Sequence, residues 1–278
     1  MSLTLKMGGE EIDVTFSTFP AGESFVKINK LHTPATLSGL QHAMITMNFE
    51  GNDDIINLAL LTDAVRRNYY VKGIALDLVY LPYARQDRVM SHGESLSVRV
   101  IADIINSLNF EHVLVTDCHS AVGLACLNNV VERDLIEATN GLSDEFWPET
   151  TVLVSPDAGA NKKVLALARS WGFPNVVRAD KTRDVLTGKI TGTVVHSEHV
   201  GEKDFLIVDD ICDGGRTFIE LAKELRKLTT GKIYLYVTHG IFSAGVKVFD
   251  GLIDKVYISN PVGNSGKMAA LQDSVVVI

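Results

Sequence analysis

Short apolar runs recur along the chain, and longer segments with helical spacing lie between them. Runs of this kind are typical of buried strands. They span residues 74–80, 112–116, 151–155, 205–208, 232–237 and 255–259. The alternation of strands and helices predicts an α/β fold in which the sheets are mainly parallel and flanked by helices.

Two of the intervening segments show the helical period most clearly. Leu58, Leu61 and Val65 share one face of the predicted helix at residues 54–67, and apolar residues share a face in the same way at residues 95–107. The first fifty residues differ, because they contain short β-type runs with few helix signals. We expect antiparallel strand pairing there.

The composition is that of a globular protein and argues against several classes of partner. The 278 residues are 46% hydrophobic, which is enough apolar material for one or two substantial cores. The net charge of −8 disfavours nucleic acid or an acidic membrane surface as the main partner. Three cysteines without metal-type spacing, and no apolar run of transmembrane length, favour a cytoplasmic protein.

The segment 208–217 places carboxylates and a glycine turn between a strand run and a segment of helical spacing. Backbone N–H groups at such a turn, together with the positive end of a helix, bind phosphate. Carboxylates at the strand end can hold ribose hydroxyls or a metal-bound ligand. We interpret the segment as a ribose-phosphate site rather than an ordinary acidic strand end. Its candidate residues are Asp209, Asp210, Asp213, Gly214, Gly215, Arg216 and Thr217.

The start of the helix after this turn also has a sequence signature. Thr217 and Glu220 have the Thr-x-x-Glu spacing of a capping box. We therefore expect Thr217 to cap the helix.

A second polar segment, residues 81–88, follows the strand run 74–80 and reads Leu-Pro-Tyr-Ala-Arg-Gln-Asp-Arg. Arg85 offers a planar cation that can stack on a purine or pair with phosphate. Gln86 offers an amide that can bind the polar edge of a purine. We favour a nucleotide contact here, and the alternative for the segment taken alone is a solvated charged turn.

Together, these two segments resemble the ribose-phosphate pyrophosphokinase family, the phosphoribosyl pyrophosphate (PRPP) synthetases. The first motif is shared with type I phosphoribosyltransferases, whereas the second is similar to the ATP-contacting signature of the synthetases. The resemblance implies two phosphoribosyltransferase-type α/β domains, an ATP-binding half at residues 1–136 and a ribose-phosphate and pyrophosphate half at residues 137–278. The last strand, at residues 275–278, can return to the N-terminal half.

The resemblance also implies a magnesium site. His119 stands where the family has a histidine that binds the magnesium carrying ATP, and without the resemblance it would be an ordinary histidine at a strand end. Asp157 lies in a segment similar to the family's pyrophosphate loop. Mg²⁺ is the expected cofactor, with Mn²⁺ as a substitute.

Two further matches to the family concern the phosphates and the adenine of ATP. Lys181 and Arg183 match a Lys-x-Arg pair on a mobile catalytic flap, where two cations would neutralise charge on the transferring phosphates. Gly22 and Glu23 match a string that reaches the ATP of a neighbouring subunit, although Ala21 replaces an acidic residue of the family pattern.

The implied reaction is a Mg²⁺-dependent transfer of the β,γ-diphosphate of ATP to the anomeric hydroxyl of ribose 5-phosphate, giving AMP and PRPP. A phosphoribosyltransferase and a non-catalytic regulatory homologue are the alternatives. Both ends of the chain fall short of the family pattern, so we expect a homodimer or a higher homo-oligomer without assuming the family's hexamer.

The phosphate loop departs from the family at two positions. The usual loop reads Asp-Thr-Gly-Gly-Thr, whereas this chain has Gly214 and Arg216 at the second and fourth positions. Gly214 opens room beside the phosphate, and Arg216 can pair with a second phosphate group or point into solvent. A larger ribose 5-phosphate compound such as ADP-ribose, in NAD salvage, is therefore an alternative acceptor.

Overall fold

The computed structural model describes residues 2–29, 41–183, 190–197 and 200–278, with side chains at all of these except residues 41, 181–183, 190 and 191. The chain divides into two compact units, Met1–Arg133 and Asp134–Ile278. This division lies three residues before the boundary expected from the sequence.

The first unit is built on one main sheet and a separate hairpin. Its elements are β1 (Leu3–Met7), β2 (Glu10–Ile12), β3 (Val14–Thr18), β4 (Ser24–Ile28), β5 (Gln41–Met47), α1 (Asp53–Asn68), β6 (Val71–Leu78), α2 (Ser97–Ser107), β7 (His112–Thr116), α3 (Ala121–Cys126) and β8 (Val130–Arg133). The strand order in the main sheet is β2-β1-β5-β6-β7-β8, and β3 pairs with β4.

The two kinds of pairing predicted for this unit are both confirmed. Strands β5 to β8 are parallel, as expected for strands joined by helices. The pairs β1–β2, β1–β5 and β3–β4 are antiparallel, as the first fifty residues indicated. Leu58, Leu61 and Val65 of α1 are fully buried, so the predicted apolar face is the one that packs on the core.

The second unit contains one larger sheet. Its elements are α4 (Leu135–Ala138), β9 (Thr151–Ser155), α5 (Asn161–Trp171), β10 (Val176–Arg183), β11 (Ile190–His196), β12 (Asp204–Cys212), α6 (Arg216–Leu225), β13 (Ile233–Gly240), β14 (Lys255–Pro261), α7 (Gly263–Ala269) and β15 (Val275–Val277). The strand order is β11-β10-β9-β12-β13-β14-β15. Only β11, at one edge, pairs antiparallel among these described strands.

This sheet carries a hydrophobic core on each face. Side chains alternate along β12, so Ile207 packs with α6 and Val208 packs on the opposite face with α5. Because parallel strands end at the same edge of a sheet, the loops after β9, β12 and β13 lie together there. Among the described residues, no helix has the length and apolar character needed to cross a lipid bilayer.

The position of the last strand, β15, differs from the prediction that it can return to the N-terminal half. Strand β15 pairs in parallel with β14, with Val275 beside Val256, so it belongs to the second unit and does not return to the first. The reason is the connection through α7, which buries Ala269 and Val275 in the same core cluster as β14. This crossover covers one face of the sheet and places β15 at its edge.

Candidate functional site

Three carboxylates meet at the edge of the second sheet where its parallel strands end. Asp209 and Asp210 lie on β12, and Asp157 follows the adjacent strand β9. Burial raises the pKa of Asp209 well above its ordinary value, and the carboxylates of Asp210 and Asp157 add to this rise. The backbone N–H of Asp210 donates to Asp209 Oδ1 at 3.0 Å. The site therefore concentrates negative charge that a cation or a hydroxyl donor would relieve.

The glycine turn after β12 has one position that requires glycine and one that does not. Gly215 has a φ of +77°, and a Cβ there would lie 2.7 Å from Phe249 Cζ. Gly214 does not have a left-handed φ, and a Cβ there would meet one described atom within 4 Å, Ser243 Oγ at 3.8 Å. Backbone conformation and packing therefore require glycine at position 215, whereas neither requires it at position 214.

Helix α6 begins two residues earlier than the predicted capping box requires. Arg216 is its first residue and Gly215 occupies the N-cap position, so the prediction that Thr217 caps the helix is wrong. The left-handed backbone of Gly215 turns the chain into the helix before Thr217 is reached. Glu220 instead pairs with Lys223 at 3.0 Å. Since glycine has no side chain, it supplies no cap to the first-turn N–H groups, which suits phosphate binding.

The loop after β9 is organised by its own aspartate. Asp157 Oδ1 accepts hydrogen bonds from the backbone N–H groups of Gly159 at 3.0 Å and Ala160 at 3.1 Å. Helix α5 then begins at Asn161. Asp157 thus shapes the turn in addition to its contribution to the charge around Asp209.

In the first unit, Arg85 and Gln86 lie on the loop after β6. The Gln86 side-chain oxygen accepts a hydrogen bond from Ser97 Oγ at the start of α2. Its backbone N–H donates to Tyr83 O at 3.1 Å, and its carbonyl accepts from Val98 N at 3.4 Å. Gln86 is therefore held in place, whereas Arg85 is exposed.

His119 is exposed on the loop after the neighbouring strand, β7. Two residues earlier, Asp117 is fully buried with a left-handed φ of 40°, and its N–H donates to Arg133 O at 2.7 Å. A hydrogen bond from Arg88 lowers the pKa of Asp87, and the charge of His119 adds to this lowering. The fold thus brings the loops after β6 and β7 together and adds Asp87 to the predicted set.

The remaining predicted residues are placed mainly by their backbone. Lys181 and Arg183 are at the end of β10, where Lys181 pairs with Thr193 of β11, but their side chains lie outside the described part of the structure. Gly22 and Glu23 form the exposed tip of the β3–β4 hairpin, and Gly22 has a φ of 91°.

The two predicted metal contacts, His119 and Asp157, belong to different units. In the described ranges, no three His, Cys, Asp or Glu side chains are arranged to hold a metal ion.

Sequence reasoning missed three contributors in the second unit. Ser243 donates to the Asp213 carboxylate, and the rings of Phe242 and Phe249 pack behind the glycine turn. Asp213 and Ser243 are about thirty residues apart in the chain, so local spacing carried no signal of the contact.

A separate cavity of about 370 Å³ lies at the other end of α5. It is lined by both tryptophans of the chain, Trp147 and Trp171, and by Asp144. Asn161 begins α5 beside the Asp157 loop and Trp171 ends it, so a helix of about 16 Å lies between that loop and the tryptophan that lines the cavity. None of the predicted site residues lines it.

Two family models match the chain. The N-terminal domain of ribose phosphate pyrophosphokinase matches residues 3–108, and the phosphoribosyl synthetase-associated domain matches residues 165–275. The chain belongs to the ribose-phosphate pyrophosphokinase family. Members of this family are diphosphotransferases, the enzyme class predicted from the sequence.

Individual pyrophosphokinases match over most of their length. The ribose-phosphate pyrophosphokinase of Pyrococcus furiosus is 29% identical over 254 residues, 90% of this chain and 86% of that protein. The one of Vibrio vulnificus is 28% identical over 264 residues, 93% of this chain and 81% of that protein.

A solved structure confirms the fold class. The phosphoribosylpyrophosphate synthetase of Mycobacterium smegmatis has a TM-score of 0.78 and 22% identity, and the match covers 96% of this chain and 86% of that one. The pyrophosphokinase-family chain thus has the predicted two phosphoribosyltransferase-type domains, each a mainly parallel sheet flanked by helices.

Proposed function

We propose that the chain transfers the β,γ-diphosphate of ATP to the 1-hydroxyl of ribose 5-phosphate, releasing AMP and forming PRPP. The observation that carries this proposal is the turn after β12, where a left-handed glycine and a helix start adjoin the partly buried carboxylates of Asp209 and Asp210. The family membership supports the same reaction. ATP and ribose 5-phosphate are the proposed partners.

The second unit would bind the acceptor at both ends of its ribose. Backbone N–H groups of the turn at 213–215 and the first turn of α6 would donate to the 5-phosphate. The carboxylates of Asp209 and Asp210 would accept hydrogen bonds from ribose hydroxyls. Thr217, half-buried in the first turn of α6, offers one further hydroxyl donor.

The first unit would bind ATP. Gln86 is held by Ser97 and the start of α2, which keeps its amide in one orientation for the edge of the adenine. The exposed Arg85 guanidinium would stack on the base or pair with a phosphate. Gly22 and Glu23, at the hairpin tip, are a second proposed contact with ATP.

The reaction itself requires positioning more than covalent chemistry. The 1-oxygen of the acceptor attacks the β-phosphorus in line, a new O–P bond forms, and the bond between that phosphorus and the oxygen bridging to the α-phosphate breaks. AMP leaves, and the proton of the 1-hydroxyl is released. Lys181 and Arg183 would neutralise the charge that develops on the transferring and leaving phosphates.

The residues present fit a magnesium ion. Burial, and after it repulsion from Asp210 and Asp157, raises the pKa of Asp209, and a divalent cation carried in with substrate phosphates would relieve this charge. His119 and Asp157 are the proposed protein contacts, with Mn²⁺ as a substitute metal. When bound, the ion would supply neutralisation of phosphate charge.

The direct test supplies purified protein with Mg²⁺, ribose 5-phosphate and ATP labelled at the γ-phosphate. We expect one AMP to be released for each molecule of a labelled product that has the mass of PRPP. A reaction that needs a nucleobase would instead identify a phosphoribosyltransferase. No turnover under any of these conditions would favour the regulatory homologue.

One observation favours a larger acceptor as a second candidate. The fold would accommodate a side chain at Gly214, and Arg216 is exposed at the start of α6, so neither departure from the family loop is required by packing. Room at 214 and a cation at 216 suit a second phosphate, as in ADP-ribose. If Arg216 acts in this way, Arg216→Gly lowers kcat/KM for ADP-ribose while that for ribose 5-phosphate is retained. A strong preference of the unaltered enzyme for ribose 5-phosphate would exclude this candidate.

A homodimer or higher homo-oligomer stays a prediction. Light scattering of the purified protein, with and without ATP, measures its mass directly.

A further inference from the structure

The turn that follows β13 is tied to the ribose-phosphate turn through the backbone. The carbonyl of Cys212 accepts two hydrogen bonds, from Ile241 N at 2.8 Å and from Phe242 N at 3.1 Å. These bonds extend the parallel pairing of β12 with β13, which reaches Cys212 beside Gly240. The two turns are therefore fixed relative to each other where the strands end.

Phe242 anchors the turn that follows β13 in the core. Its φ is 49°, an unusual value for a bulky residue, and its ring is almost fully buried. The carbonyl of Phe242 accepts from Gly245 N at 2.8 Å, which closes the turn. Strained backbone of this kind persists only where the surrounding packing holds it, and it occurs often at functional sites.

Phe242 and Phe249 connect this turn to the glycine turn from behind. Their rings meet edge to face with centroids 6.4 Å apart, and the Phe249 ring occupies the space that a side chain at Gly215 would need. The turn at 240–243 is thus supported by the same packing that fixes the start of α6.

Ser243 lies on this turn, next to the proposed acceptor site. Its side chain is exposed, and its hydroxyl donates to Asp213 Oδ1. The Ser243 oxygen also lies 3.8 Å from the position of a Cβ at Gly214. The hydroxyl therefore stands beside the middle of the turn that would bind the 5-phosphate.

The orientation of the Asp213 carboxylate affects phosphate binding, because this carboxylate could itself accept hydrogen bonds from the N–H groups of the turn. An aspartate two residues before Gly215 readily accepts a hydrogen bond from that N–H, and aspartate is also a favoured acceptor for N–H groups at a helix start. These are the donors that the 5-phosphate requires. A carboxylate released into this turn would compete with the phosphate for hydrogen bonds and would repel it.

We propose that Ser243 is a positioning residue for the acceptor site: its hydroxyl holds the Asp213 carboxylate away from the N–H groups that bind the 5-phosphate. This inference rests on the proposed function. It predicts a selective effect on the ribose-phosphate end of the reaction, because the Asp213 carboxylate that Ser243 binds belongs to the turn that would hold the 5-phosphate.

The test compares Ser243→Ala with Ser243→Thr, which keeps the hydroxyl, and with Ser170→Ala, an exposed serine at the far end of α5. Loss of a hydrogen bond to a charged group should raise KM for ribose 5-phosphate on the order of tenfold in Ser243→Ala, with KM for ATP unchanged. Ser243→Thr and Ser170→Ala should behave like the unaltered enzyme. Calorimetric binding of ribose 5-phosphate should weaken by a similar factor in Ser243→Ala.

The possible failures are distinguishable. If the unaltered protein forms AMP and PRPP but Ser243→Ala keeps a normal KM for ribose 5-phosphate, the positioning role is wrong and the proposed function stands. An equal rise of both KM values together with a lower Tm would reveal general damage to the fold and would also overturn the positioning role. Absence of turnover and of ribose 5-phosphate binding in the unaltered protein would overturn both.

Discussion

Asp157 and Asp209 stand at the ends of two adjacent parallel strands, and the carboxylate of Asp157 contributes to the raised pKa of Asp209. The pairing of β9 with β12 runs through Val154 beside Ile207, so each carboxylate follows within a few residues. Burial and repulsion thus make the site less stable in the absence of ligand. Such stored repulsion is common where a protein binds cations or cationic groups.

Asp209→Asn should stabilise the ligand-free protein and abolish its activity. Because the native pKa of Asp209 lies above its unfolded value, its favourable contribution is complete below the unfolded value and is lost as pH rises through the native pKa. The variant should therefore have a higher Tm than the unaltered protein at neutral pH in EDTA. The difference should shrink towards about pH 4, the ordinary range of aspartate.

Thermal unfolding across pH measures this effect, with Asp273→Asn as an exposed control in the same unit. A lower Tm for Asp209→Asn at neutral pH, or a difference that does not vary with pH, would contradict the assignment of repulsion to this site.

Gly215→Ala and Gly214→Ala form a matched pair in one turn. Alanine at 215 would adopt an unfavourable left-handed backbone and collide with the Phe249 ring, which should lower the free energy of unfolding by about 1 to 3 kcal/mol. Alanine at 214 meets ordinary contact distances and should leave the free energy of unfolding nearly unchanged. Urea denaturation of both variants checks the contrast, and equal stability of the two would show that the packing behind Gly215 is not rigid.

Lys181→Ala should lower kcat far more than it weakens ATP binding, because the lysine is proposed to act on charge that develops in the transition state. Removal of one such group commonly costs on the order of a hundredfold. Steady-state kinetics and ATP binding separate the two effects. Lys227→Ala, a surface lysine paired with Glu224, is the control, and near-normal turnover of Lys181→Ala would remove the lysine from the mechanism.

EDTA should abolish activity, and Mg²⁺ or Mn²⁺ should restore it. His119→Ala should raise the Mg²⁺ concentration needed for half-maximal activity, because the imidazole is a proposed metal contact. Titration of Mg²⁺ at fixed ATP measures this requirement, with His112→Ala as an exposed control on the strand before the same loop. An unchanged requirement in His119→Ala would leave His119 with a structural role.

Much of the secondary structure of this protein is predictable from local patterns in its sequence. The buried face of α1 follows from a period of 3.6 residues, and the parallel strands follow from apolar runs that alternate with helical segments. The antiparallel pairing in the first fifty residues follows from short β-type runs with few helix signals. The candidate loops are predictable for the same reason, since strand ends and helix starts have local signatures. The exception at Thr217 arose where a left-handed Gly215, supported by the distant Phe249, starts the helix earlier than the local signature indicates.

The sequence by itself therefore determined the α/β class, the order of the elements and the segments that carry the chemistry, because these depend on neighbours within a few residues. Only the tertiary structure decided that Asp157 acts on Asp209, that Ser243 holds Asp213 and that β15 joins the second sheet. The physical reason is that each of these contacts joins residues distant in the chain. Strand order and close packing bring them together, and no local periodicity specifies either.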